Sequence, residues 1–146
     1  MLNSGVTAAQ LAQLQEQTYD LMRRNRRTTD GHLYTVPAPV SYPYQWLWDS
    51  CFHAIILSRF DLAAAKQELL SAVFHQLPNG LLPHMTYWEK GDVINIKWGL
   101  EKTSSITQPP MIAQAVAQVF RRDPDEEFLR KIYPALYHFY KYLLNE

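Results

Sequence analysis

Apolar residues recur at helical spacing in five stretches of the chain, separated by two long stretches without any period. Leu11, Leu14, Thr18, Leu21 and Met22 share one face of a helix predicted over residues 6–27, with Gln and Glu opposite. Thr7 is placed to cap it. Arg23, Arg24, Arg26 and Arg27 crowd its last turn, where cations oppose the negative end of the helix dipole. Residues 48–59 form a second helix. Asp61 then caps a third, running to about residue 76, that turns Leu62, Ala65, Leu69, Leu70, Val73 and Phe74 inward. Joined by almost no loop, these two must pack as an antiparallel hairpin. Pro109-Pro110 opens a fourth helix over residues 111–122, because proline suits a first turn whose amides are free anyway. Its Ala113, Ala115 and Ala117 permit close approach to a neighbour. After Asp123-Pro124-Asp125, a fifth helix carries Phe128, Ile132, Leu136, Phe139, Tyr140 and Leu143 as one stripe. Pro134 must kink or restart it.

The two aperiodic stretches read differently. Residues 28–45 hold a turn signal, Asp30-Gly31, and three prolines (Pro37, Pro39, Pro43) that keep the segment extended. Residues 77–110 begin with the turn Pro78-Asn79-Gly80 and the apolar run 81–85. They continue as a long loop mixing Tyr87, Trp88 and Trp98 with charges, with a short strand expected at Val93-Ile94-Asn95-Ile96. Long ordered loops are uncommon and often functional.

Composition narrows the classes. The 146 residues are the size of one ordinary domain, and a hydrophobic content of 47% suffices for a core. Fourteen basic and fourteen acidic residues give zero net charge, which favours neither nucleic acid nor an anionic membrane. The single cysteine, Cys51, excludes an internal disulfide and suits a reducing cytoplasm, where we expect the protein. Set in an apolar helix with no nearby base, it reads as a structural thiol. The first ten residues lack the basic start and apolar core of a signal peptide, and no apolar run approaches the roughly 20 residues of a membrane span. Phosphate loops, HExxH, CxxC and nucleophile elbows are absent. No metal or cofactor is expected, and the oligomeric state is left open.

The stretch with the most chemistry is Tyr42-Pro43-Tyr44-Gln45-Trp46-Leu47-Trp48-Asp49. Pro43 keeps Tyr42 extended, and Asp49 or Ser50 stands where a helix begins. Flat rings present apolar faces to the C–H faces of a sugar, and a carboxylate accepts from two adjacent hydroxyls. The plainer reading is an aromatic plug with a capping aspartate. His84 is readable as an interior histidine and Gln108 as a partner for a helix N-terminus. His53 is expected on a helix face, and Tyr87 and Trp88 as loop packing.

The segments YQWLWDSCFHA, LLPHM and SSITQPP, in that order, resemble glycoside hydrolase family 63, in its bacterial branch acting on mannosylglycerate and glucosylglycerate. The resemblance implies an (α/α)6 toroid that cleaves an α-linked glucosyl or mannosyl residue with inversion. About five helices are fewer than half of twelve, so the chain corresponds to the N-terminal portion of such a domain. By the same resemblance Tyr42, Trp46, Trp48 and Asp49 grip the non-reducing sugar, and His84 and Gln108 add hydrogen bonds. The family's general acid and general base lie beyond the matched segments, so this chain contributes no catalytic residue and is expected to be inactive by itself. Two other classes stay open: a non-catalytic helical scaffold, and a sugar epimerase of similar toroidal fold.

Overall fold

The computed structural model describes residues 5–88 and 100–145. The elements run α1 (Ala8–Asn25), β1 (Arg26–Thr29), β2 (His32–Thr35), β3 (Gln45–Trp46), α2 (Leu47–Leu57), α3 (Leu62–Phe74), β4 (Met85–Thr86), α4 (Ile112–Arg122) and α5 (Glu126–Asn145). Among the described residues no helix is long and apolar enough to cross a membrane.

The α2–α3 hairpin is the centre of the molecule. Asp61 caps α3 as its sequence position predicts, accepting from the Ala64 amide at 2.9 Å. Tyr19 and Arg26 also reach the Asp61 carboxylate, tying the end of α1 to the same corner. Leu57, Leu69, Ile112 and Ile132, one from each of α2 to α5, are fully buried in one core with Cys51, Val119 and Phe139. Each such side chain removed from water contributes about 1.5–3 kcal/mol. Lys66 of α3 holds Asp123 and Asp125, which fixes the turn between α4 and α5.

Four expectations need correction. Helix α1 ends at Asn25, and Arg26 and Arg27 open a β-hairpin instead of closing a helix. In that hairpin Arg26 pairs with Thr35 and Thr29 with His32 around Asp30-Gly31, both at positive φ. Strands of four residues are too short to display an alternating pattern, which is why residues 28–35 look merely aperiodic. Second, Leu11, Leu14 and Leu21 are half exposed. Only the last turns of α1 meet the body, where Met22 is buried and Tyr19 stacks on Phe60. Third, Phe74 is 55% exposed, forming the outer layer of a ring stack with His32 and Trp88. Fourth, α5 runs unbroken through Pro134. That residue and Arg130, whose carbonyl it leaves without an amide donor, are both at the surface, so the lost bond costs little. The strand expected at Val93-Ile94-Asn95-Ile96 lies outside the described residues.

Candidate functional site

A two-stranded bridge assembles the site. Gln45 pairs with Thr86 and Trp46 with Met85, and the Leu47 amide donates to the His84 carbonyl at 3.0 Å. The run 81–85 is thereby laid beside the start of α2. The Thr86–Thr103 bridge and the bonds from the Tyr87 amide to Lys102 and from Ser104 to Met85 bring in the third segment. Three segments spread over sixty residues of sequence meet at one helix N-terminus.

There Pro37, Tyr42, Trp46, Trp48, Asp49 and Gln108 line a concavity of about 290 Å³. That volume sits at the small end of ligand pockets, roughly 300–1,000 Å³, and suits a single ring. Tyr42 meets Trp46 edge-on with centroids 5.9 Å apart. Trp48 stays 40% exposed, an uncommon state for so large an apolar surface, and its ring lies against Phe52.

Neither Asp49 nor Ser50 caps α2. Trp46 occupies the cap position without a side-chain bond, and Asp49 sits inside the first turn. The end is served from a distance: Gln108 Oε1 accepts from the Trp48 amide at 3.1 Å. Gln108 is therefore both the helix partner that a plain reading allows and a wall of the concavity. Asp49 is half-buried, and burial pushes its pKa up. The charge of His53, the Asp49 amide and the Trp48 side chain pull it back.

His84 lies one layer behind, 7% exposed, its ring edge-on to Trp46 at 5.1 Å. Burial lowers its pKa, only partly opposed by a backbone contact with Ile106, which favours a neutral ring. Its Nδ1 meets Ser104 Oγ, which also accepts from the Met85 amide and donates to the Ile106 carbonyl. Ser104 thus ties the His84 ring to the backbone on both sides of it.

Beneath the concavity is a polar layer that the motifs do not announce. Trp88 Nε1 donates to Gln45 Oε1 at 2.8 Å, Gln45 Nε2 donates to Ser50 Oγ at 3.0 Å, and Ser50 Oγ donates to Glu68 Oε1 at 2.6 Å. Glu68 is fully buried. Trp88 is far more than loop packing: it holds a positive φ of 61°, costly for a bulky residue, and stacks on Tyr34 at 5.1 Å. One signal marks Glu68 in the sequence. Ala65, Glu68, Leu69 and Ala72 recur at the spacing of a buried helix face, with a carboxylate where an apolar residue belongs.

The family model of the mannosylglycerate hydrolase MGH1-like glycoside hydrolase domain matches residues 42–146. The chain belongs to this glycoside hydrolase family. Within it, a mannosylglycerate hydrolase of Thermus thermophilus is 37% identical over 143 residues, which are 86% of this chain and 32% of that protein. A glucosylglycerate hydrolase of Mycolicibacterium hassiacum is 31% identical over 106 residues, 64% of this chain and 24% of the relative. The solved structure of the family 63 mannosylglycerate hydrolase from a second strain of Thermus thermophilus, in complex with Tris and D-glycerate, matches with a TM-score of 0.80 at 37% identity. It covers 90% of this chain and 33% of that one. This MGH1-like chain thus spans between about a quarter and a third of the length of these hydrolases.

Proposed function

We propose that this chain forms the sugar-binding wall of an inverting α-glycosidase. In this reading it is the N-terminal portion of an (α/α)6 toroidal catalytic domain. Its substrates carry α-linked glucosyl or mannosyl residues, on glycerate or in an oligosaccharide, and it works in the reducing cytoplasm that a lone cysteine suits. The observation that carries the reading is one half-buried carboxylate, Asp49, set among the rings of Tyr42, Trp46 and Trp48 in a concavity the size of one ring. Indole faces stack on the C–H face of a pyranose, and the carboxylate accepts from adjacent hydroxyls by charge-assisted bonds. Gln108 adds a polar edge. His84, edge-on behind Trp46, steadies that wall.

Inversion requires a protonated acid and a carboxylate base roughly 6.5–9.5 Å apart. Among the described residues Asp49 is the one carboxylate lining the concavity. Glu89 and Asp92 lie outside the described residues, and in this reading the catalytic pair stands on segments other than those that build this wall. Glu101 stands on an exposed segment. Family membership and the hydrolase activity named for the relatives support this reading over the scaffold and epimerase ones.

The test is a titration of 15N-labelled residues 1–146 with α-mannosylglycerate and α-glucosylglycerate. Shifts should concentrate on the amides and indole N–H groups of Trp46 and Trp48 and on Asp49 and Gln108. Shifts confined to another face, or none into the tens of millimolar, would refute the assignment.

A further inference from the structure

Asp49 and His53 stand four residues apart on α2 and so share a face of the helix. The His53 Nδ1 lies 3.9 Å from Oε1 of the fully buried Glu68, with the His53 side chain itself only 14% exposed. One imidazole thus shares a helix face with the carboxylate of the concavity and lies close to a carboxylate of the core. The hydrogen bonds leave two atoms over: Glu68 Oε2 and His53 Nδ1 are both enclosed and have no hydrogen-bond partner. A buried carboxylate with one oxygen unserved is costly unless an opposite charge lies close, and His53 is the group placed to supply it.

We propose that His53 is a positioning residue for Asp49, braced by Glu68 so that the carboxylate is presented to the concavity as an oriented anion. The Trp88–Gln45–Ser50 chain of bonds fixes Glu68, Glu68 lies close to His53, and His53 stands one helical turn from Asp49. The pull of His53 on the Asp49 carboxyl, against the effect of burial, agrees with this order. Other titratable groups in reach are Cys51 of α2, whose thiol burial pushes up to about 12 with both carboxylates adding to the rise, and Tyr140 of α5, which senses Cys51. A thiol and a phenol held high in this way stay neutral between pH 3 and 8 and do not compete for the role. The inference rests on the reading of Asp49 as the sugar-binding carboxylate, and its test separates the two.

The Asp49 carboxyl is followed by its 13Cγ signal from pH 3 to 8 in residues 1–146 and in the His53→Gln variant, without sugar and then with α-mannosylglycerate. Without the imidazole, Asp49 should titrate higher than in the native chain, and affinity for α-mannosylglycerate should fall. Should the variant not fold, the native chain decides: the Asp49 curve must carry a second inflection where the His53 ring 15N signals titrate. A single inflection there, or an unmoved Asp49 in a folded variant, overturns the proposal. Coupled titration without any sugar binding would instead overturn the sugar reading and leave the pairing supported. Sugar binding with an uncoupled Asp49 would do the reverse.

Discussion

Burial raises the pKa of Asp49, so at neutral pH the folded chain holds an anion that water would solvate better. For a carboxyl shifted upward, the stability it contributes is complete below its ordinary value of 3.8 and is lost as pH rises through the folded value. Asp49→Asn should therefore melt at an equal or higher temperature than the native chain at pH 7, and that advantage should vanish towards pH 4. A lower Tm at pH 7 would mean that the carboxylate is a structural element after all. Much of the concavity's lining is legible in sequence, since Tyr42, Trp46, Trp48 and Asp49 are neighbours along the chain. Gln108 is harder: its plain reading as a helix partner holds, but for a helix sixty residues away. Ser50 and Glu68 escape notice because a polar residue within an apolar stripe looks like imperfect periodicity, and only the fold brings the two together.

At the scale of elements, the five helices and their order follow from apolar spacing and the Asp61 cap. The β-hairpin does not, because its pairing is decided by contacts outside its own eight strand residues. Ser71 of α3 donates to the Leu33 carbonyl, and Trp88 covers Tyr34. The turn at Gly80 shows how closely the segment entering the site is held. Gly80 has φ of 96°, and a Cβ there would meet the His138 carbonyl oxygen of α5 at 2.6 Å. Gln76 reinforces the corner, donating to the carbonyls of Gly80 and Ala135. Gly80→Ala combines a left-handed conformation with a backbone clash and should destabilise the chain by at least roughly 2 kcal/mol in urea unfolding. A cost below half that figure would indicate that α5 yields easily at this point.

For the whole molecule, a chain that spans about a third of the Thermus hydrolase it matches exposes apolar surface. Leu11, Leu14 and Leu21 of α1, with Tyr133, Tyr137 and Leu144 of α5, form exposed faces at opposite ends of the sequence. Contiguous apolar surface of this kind favours association. Purified residues 1–146 should self-associate or bind a hydrophobic dye. They should also hydrolyse α-mannosylglycerate and α-glucosylglycerate no faster than buffer, as read by release of the free sugar. Turnover by a monomeric preparation would place the catalytic carboxylates within this chain. Membership of the family is legible in the motifs but not in the periodicity, since five helical stripes alone fit many all-helical folds. The sugar-binding role proposed for Asp49 is decided by calorimetric titration of α-mannosylglycerate into the native and Asp49→Asn chains. A carboxylate accepting two hydroxyl bonds, each contributing about 1.5–3 kcal/mol, predicts at least about tenfold weaker binding by Asp49→Asn with Tm undiminished. Equal affinity in the two chains would rule out that role.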